Sequence, residues 1–174
     1  FRNGGVDREA LKKIVRFQIA GGVSGLVPCG STGEAATLSS DEYMEVIKLV
    51  VREAGGKVQV MPGVGTNSTA KAVEMVKKVS ALGVDGLLAV VPYYNKPTQE
   101  GMIAHFSEMA RATCLPIVLY NIPGRTGVNM LASTVLALRK KFRNIVGIKE
   151  ASGSIDQVSE IVNILDKDFA VMSG

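Results

Sequence analysis

Residues 86–91 read GLLAVV, an unbroken apolar run of strand length, and the polar segment PYYN follows directly at residues 92–95. A strand without alternating polar residues is buried on both faces, as in the parallel sheets of α/β proteins. Polar side chains then collect at its carboxyl end. The rest of the chain repeats this pattern of a buried strand that ends in polar residues.

Further apolar runs of the same kind predict strands at residues 25–27, 58–61, 116–120, 145–148 and 169–172. The segments between them show helical periodicity, as in Tyr43, Val46, Ile47 and Val50. Ser39 and Glu42 have the spacing of a capping box at the start of that helix. Strands that alternate with helices predict a parallel sheet with right-handed crossovers.

Two architectures fit this alternation: an open doubly wound sheet and a (β/α)8 TIM barrel. Polar segments follow nearly every predicted strand, at residues 29–34, 63–67, 92–95, 120–125 and 149–152. A barrel gathers all these loops around one mouth, whereas an open sheet gathers fewer. The sequence therefore predicts an α/β fold of the barrel type. Because only six strands are found, we expect residues 1–174 to be one partial barrel that lacks the first strand and the C-terminal part.

The composition is that of a globular domain, with 47% apolar and 21% charged residues among 174. The apolar runs are far shorter than the roughly 20 residues that cross a bilayer. The first residues lack the features of a signal peptide. We therefore expect no membrane association and a cytoplasmic location.

The net charge of +4 does not indicate a nucleic-acid interface. The basic groups at residues 12–13, 77–78 and 139–141 fall within predicted helices, where they are typical of solvated faces. Cys29 and Cys114 lie in apolar runs, so we expect both to be reduced and buried. With one histidine and no dinucleotide or phosphate-loop motif, the sequence predicts neither a metal site nor an organic cofactor.

Lys149 directly follows the apolar run at residues 145–148. Strand alternation puts Ile145, Gly147 and Lys149 on one face, which we expect to be the inner face of the barrel near its mouth. Burial favours the neutral amine, which is the form that attacks a carbonyl group. The alternative is a strand-end lysine that reaches solvent or pairs with Glu150.

Three further groups are candidates for the same mouth. Tyr120 ends a strand and could shuttle protons, or it could be an ordinary core tyrosine. The turn at residues 30–34, GSTGE, offers two hydroxyls and free backbone N–H groups that suit a carboxylate. Arg125 could bind a second carboxylate through both guanidinium edges, or it could be a solvated loop residue.

Four segments together resemble the dihydrodipicolinate synthase family of pyruvate-dependent class I aldolase-like barrels. They are GSTGE at residues 30–34, PYYNKPTQEG at 92–101, YNIPGRTG at 120–127 and GIKEA at 147–151. Their order and spacing match along nearly the whole chain. The resemblance implies an enzyme that condenses pyruvate with L-aspartate 4-semialdehyde to give 4-hydroxy-tetrahydrodipicolinate for lysine (diaminopimelate) biosynthesis.

The resemblance also implies roles for individual residues. Lys149 would form the Schiff base with pyruvate, and Tyr120, Ser31 and Tyr94 would form the proton relay. Tyr94 would reach the site of a neighbouring subunit, which implies a homo-oligomer built as a dimer of dimers. The implied substrate-binding residues are Thr32, Gly33, Arg125 and Gly174; Thr32 would hold the pyruvate carboxylate and Arg125 that of the semialdehyde.

Two other functions stay open at this point. Ser31 stands where the synthase branch has threonine, and serine also occurs in the sister N-acetylneuraminate lyases, so a sugar-acid aldolase is the nearest alternative. A non-catalytic α/β module that binds an anion on its glycine-rich turns is the alternative from another class. Lysine-inhibited members of the family often carry polar or acidic residues at the positions of Ala35, Ser40, Tyr43 and Lys71, so we expect weak or absent feedback by lysine.

Overall fold

The computed structural model describes all residues, 1–174, and contains every predicted strand. The strands are β1 (Gly25–Leu26), β2 (Gln59–Val60), β3 (Leu87–Val90), β4 (Ile117–Asn121), β5 (Ile145–Glu150) and β6 (Ala170–Ser173). The helices are α1 (Arg8–Ala20), α2 (Ser40–Ala54), α3 (Thr69–Ser80), α4 (Gln99–Arg111), α5 (Pro123–Thr126), α6 (Ala132–Lys141) and α7 (Ile155–Ile164). Ser39 and Glu42 form the predicted capping box of α2.

The order of the strands decides between the two predicted architectures. All paired strands are parallel and follow the chain order, β1 with β2 and then β3 through β6. A bridge between Gly63 and Leu88 joins the two groups. A doubly wound sheet reverses its strand order at a switch point, and this sheet does not.

The core lies between the sheet and one layer of helices. A single cluster of 30 buried apolar residues combines outward side chains of the strands with residues from α1, α2, α3, α4, α6 and α7. The opposite face of the sheet carries a small cluster of Leu88, Val118 and Tyr120. Helices on one face of a sequentially ordered parallel sheet are the arrangement of a barrel wall. The chain therefore forms an incomplete (β/α)8 barrel with six strands.

The predicted alternation along β5 is wrong at its first two residues, Ile145 and Val146. The pairing register shifts, because Ile117 lies opposite Ile145 whereas Val118 lies opposite Gly147. A β-bulge of this kind inserts one residue and reverses the facing of those before it. Ile145 consequently packs in the outer core, and Val146 packs against the inner cluster.

Two glycines allow close contact between the early strands. A Cβ added at Gly63 would lie 2.5 Å from the carbonyl oxygen of Cys29. One added at Gly65 would lie 2.6 Å from the backbone nitrogen of Val90 and 2.9 Å from its carbonyl oxygen. Real Cβ atoms do not approach backbone this closely, so a side chain here would push the backbones apart.

The prediction for the cysteines is half right. Cys29 is buried, whereas Cys114 is exposed in the connection before β4. Both cysteines lie outside the strands, so an apolar neighbourhood in sequence does not by itself decide burial: Cys29 packs into the core, and Cys114 does not. None of the helices is long and apolar enough to cross a membrane.

The two thiols should therefore react at different rates. Burial raises the pKa of the Cys29 thiol to about 12, so almost none of it is thiolate near neutral pH. We expect iodoacetamide at about pH 8 to alkylate Cys114 at least about 100-fold faster than Cys29 in the folded chain. Peptide mass spectrometry measures both rates. Equal rates in denaturant are the control, and equal rates in the folded chain would contradict the burial of Cys29.

Candidate active site

Lys149 and Tyr120 form the centre of the candidate site. They lie opposite each other in the register of β4 and β5, and both face the inner side of the sheet. The Lys149 Nζ lies 4.4 Å from the centroid of the Tyr120 ring. Tyr120 is buried and Lys149 is partly buried. The predicted inward orientation of both side chains is confirmed.

Glu150 is not the partner of Lys149. As the next residue of β5 it points to the opposite face, and the ion pairs of the chain all lie elsewhere. Its carboxylate accepts hydrogen bonds from the Asn121 Nδ2, the Gln157 Nε2 and the Ser152 N–H. The amine of Lys149 is thus left without a carboxylate partner in the chain, so no ion pair holds it back from acting as a nucleophile.

Gly174 follows β6 beside the lysine. Its N–H donates to the Glu150 carbonyl at 3.1 Å. A Cβ built at Gly174 would lie 3.4 Å from the Cε of Lys149. Of the predicted substrate-binding residues, Gly174 is the one that lies against Lys149.

The turn with Ser31, Thr32 and Gly33 follows β1 and is exposed. The hydroxyls of Ser31 and Thr32 make no hydrogen bond within the chain, and the N–H groups of all three residues have no acceptor there. Such free donors on a turn suit a carboxylate ligand. The turn lies at the carboxyl end of its strand, as predicted, but neither hydroxyl is hydrogen-bonded to Lys149 or Tyr120.

Tyr94 and Arg125 lie in the loops after β3 and β4. Tyr94 is 88% exposed and has a left-handed backbone with φ of 70°. Its N–H donates to the Thr126 carbonyl at 3.3 Å, so the two loops touch. Arg125 is exposed on α5 and pairs with no carboxylate. Both residues lie at the carboxyl ends of the strands, where active sites of barrels form, without contact to Lys149.

Sequence reasoning missed the buried residues behind the site. Asn121 is fully buried and Glu150 is 4% exposed, and both belong to a network with Asn129 and Gln157. Alternation along β5 could have found Glu150, because a residue that follows an inward lysine must point into the helical layer. Its side-chain donors, Asn121 and Gln157, belong to other elements and leave no local signal.

The geometry defines a class of protein before any comparison. An incomplete β/α barrel carries a partly buried lysine without an ionic partner, stacked on a buried tyrosine at the carboxyl ends of adjacent strands. No three histidine, cysteine or acidic side chains lie together as metal ligands do. Amine attack on a carbonyl group is the chemistry that this pair can perform.

Comparison with known proteins gives the family. A sequence model of the Dihydrodipicolinate synthetase family matches residues 1–174. The chain belongs to this family.

Similar proteins support this membership over the whole chain. The 4-hydroxy-tetrahydrodipicolinate synthase of Geobacter sulfurreducens is 51% identical over 174 residues, which are 100% of this chain and 60% of that protein. The solved synthase of the thermoacidophilic methanotroph Methylacidiphilum fumariolicum SolV superposes with a TM-score of 0.99 at 47% identity, covering 100% of this chain and 58% of that one. A chloride-inhibited dihydrodipicolinate synthase from Acinetobacter baumannii, solved with pyruvate, superposes with a TM-score of 0.96 at 44% identity. The match covers 100% of this chain and 60% of that one. The chain thus spans about three fifths of the length of these relatives.

Proposed function

We propose that this chain carries the Schiff-base half of a 4-hydroxy-tetrahydrodipicolinate synthase. The observation that carries the proposal is the partly buried Lys149 amine, stacked on Tyr120 and free of any carboxylate. The amine attacks the keto carbon of pyruvate, and loss of water gives the imine. Loss of a methyl proton then gives an enamine, which attacks the aldehyde carbon of L-aspartate 4-semialdehyde.

The remaining residues have roles that fit their positions. Tyr120, with Ser31 and Tyr94, moves the protons of carbinolamine formation and breakdown. The free donors of Thr32 and Gly33 bind the pyruvate carboxylate, while Gly174 leaves room beside the lysine. Arg125 binds the carboxylate of the semialdehyde. We expect no metal or organic cofactor to take part.

A closed site needs more than these six strands. We propose that they are consecutive strands of an eight-stranded barrel, with the first strand and the C-terminal part supplied by the rest of the full chain. Tyr94, at 88% exposure, is available to enter the site of a second subunit. A homo-oligomer built as a dimer of dimers is therefore part of the proposal, and the cytoplasmic location stays a prediction.

The second substrate separates the proposal from its alternatives. The full chain is incubated with pyruvate and either L-aspartate 4-semialdehyde or an N-acetylated amino sugar, and pyruvate consumption is measured. Consumption with the semialdehyde alone supports the synthase, because Arg125 offers a guanidinium to its carboxylate. Consumption with the sugar indicates a sugar-acid aldolase. An anion-binding module would consume pyruvate with neither.

Feedback by lysine should be weak. The Tyr43 hydroxyl donates to the Gly63 carbonyl in a buried position, and Lys71 puts an exposed positive charge on α3. The positive charge of Lys71 repels cationic L-lysine. The Tyr43 hydroxyl is already hydrogen-bonded to Gly63, so it is not available to bind the amino acid. We expect about 1 mM L-lysine to lower the initial rate of the full chain less than about twofold.

Steady-state rates with and without L-lysine measure this effect. Sodium chloride at equal ionic strength is the control, since screening alone can change the rate of an enzyme with anionic substrates. Strong inhibition by lysine in this comparison would refute the prediction.

A further inference from the structure

A buried polar cluster lies directly behind the candidate site. We call Asn121, Asn129, Glu150 and Gln157 the Glu150 network. Asn121 lies opposite Glu150 in the register of β4 and β5, one position after the Tyr120 and Lys149 pair. Because side chains alternate along strands, the network and the site occupy opposite faces of the same two strand ends. A change in the network that moves the backbone of these strand ends therefore also moves Lys149 and Tyr120.

The hydrogen bonds of the network have a fixed direction. The Met130 N–H donates to the Asn121 Oδ1 at 3.0 Å, which turns the Nδ2 toward Glu150. The Asn121 Nδ2 lies 3.0 Å from the Glu150 Oε2, the Gln157 Nε2 lies 2.9 Å from the same oxygen, and the Ser152 N–H donates to the Oε1 at 2.7 Å. Every neighbour is a donor, so this position needs a group that accepts at both of its oxygens.

A carboxylate is a costly choice for this position. Glu150 is 4% exposed and no lysine or arginine pairs with it. Burying a charge costs free energy unless several hydrogen bonds offset it, and apolar packing often stabilises a core better. A buried acceptor that three donors hold directly behind a reactive residue fits a positioning role better than a role in stability alone.

Backbone hydrogen bonds of the same two residues, Asn121 and Glu150, hold the rim behind the lysine. The Ala151 N–H donates to the Asn121 carbonyl at 2.8 Å, and the Gly174 N–H donates to the Glu150 carbonyl at 3.1 Å. These two bonds fix the backbone beside Asn121 and Glu150, the pair that directly follows Tyr120 and Lys149. The ends of β4, β5 and β6 are thereby held in one register.

We propose that Glu150 and Asn121 are positioning residues that hold Lys149 over Tyr120. The inference rests on the proposed function, because the reaction it supports is imine formation at Lys149. Accurate placement of a nucleophile lowers a reaction barrier, and a misplacement of about 1 Å can slow a reaction on the order of 100-fold. The network supplies that accuracy without touching substrate.

The test variant is Glu150→Gln in the full chain. The new NH2 group of the glutamine is a donor that meets only other donors, so it has no acceptor. Asn121 cannot turn its oxygen toward it, because the Met130 N–H holds that oxygen. We expect kcat and the rate of pyruvate trapping by borohydride to fall about 10- to 100-fold, with KM for pyruvate changed less than about threefold. The pH profile of trapping should also change, because the surroundings of the amine move. A role in stability alone predicts none of these changes.

Two more variants keep the test decisive. Gln157→Ala removes one donor from α7 and should slow trapping about 3- to 10-fold even if Glu150→Gln does not fold. Asn144→Ala is the matched control at the opposite end of β5, where the Asn144 side chain donates to the Ala110 and Thr113 carbonyls, each at 3.0 Å. It should lower the melting temperature yet leave the trapping rate within about twofold, because the amino end of a barrel strand serves stability.

The outcomes distinguish the inference from the function on which it rests. If the unmodified chain forms no adduct at Lys149, the proposed function is wrong. If it forms the adduct, but folded Glu150→Gln and Gln157→Ala trap pyruvate at its rate, only the positioning role is wrong. Slower trapping in both variants, with Asn144→Ala unaffected, supports the inference.

Discussion

Lys149→Ala should abolish the pyruvate adduct and lower kcat by about 10³-fold or more, since removing a covalent nucleophile leaves only binding and polarisation by the remaining groups. Borohydride reduction in the presence of pyruvate, followed by peptide mass mapping of the full chain, measures the adduct directly. In the unmodified chain the added mass should lie on the peptide that contains Lys149. The substitution shortens a partly buried side chain, so the loss should be in chemistry and not in folding.

Lys140→Ala is the matched control. Lys140 is an exposed residue of α6, and its removal should change neither the adduct nor kcat. An adduct on another lysine of the unmodified chain, or an unchanged adduct yield in Lys149→Ala, would show that Lys149 is not the nucleophile. Circular dichroism on each variant checks that the comparison is between folded proteins.

Gly65→Ala should destabilise the fold strongly. The added Cβ would lie 2.6 Å from the backbone nitrogen of Val90, so β2 and β3 must move apart at the point where the two parts of the sheet join. Overpacking against backbone costs about 3 kcal/mol, which lowers the melting temperature of a domain of this size by roughly 10 °C. Urea and thermal unfolding of the full chain measure the effect.

Gly124→Ala supplies the comparison for this prediction. A Cβ at Gly124 meets nothing within 4 Å, and its backbone is not left-handed. Its free energy of unfolding should change by less than about 1 kcal/mol, with stabilisation as the expected sign, because alanine restricts the unfolded chain. Equal effects of the two substitutions would mean that close contact with the neighbouring strand is not the reason why residue 65 must be glycine.

The sequence predicted most of the architecture because the signals for it are local. Unbroken apolar runs mark strands that are buried on both faces, and apolar residues at helical spacing mark the layer between them. The polar segments at the strand ends predicted the barrel, and the observed order of parallel strands confirmed it. The inward facing of Lys149 followed from alternation together with the expectation that the helices cover the other face of the strand.

The errors fall where distant segments meet. The bulge in β5 depends on how that strand pairs with β4, so the sequence of β5 gave no sign that Ile145 would turn outward. Cys29 and Cys114 both lie outside the strands, and only tertiary packing buries the first and exposes the second. Gly63 and Gly65 are required by the closeness of neighbouring segments of backbone, which the local sequence does not show.

The sequence by itself determined that this protein presents a lysine and a tyrosine on one face of neighbouring strands, because alternation along a strand is a property of the local backbone. Only the tertiary structure decided what stands behind them. The carboxylate of Glu150 gains its donors from Asn121 in β4, from Gln157 in α7 and from the Ser152 N–H just after β5. Met130, in the segment before α6, orients Asn121. The network forms only once the chain has folded, because the hydrogen bonds between Asn121, Asn129, Glu150 and Gln157 join different strands, helices and loops.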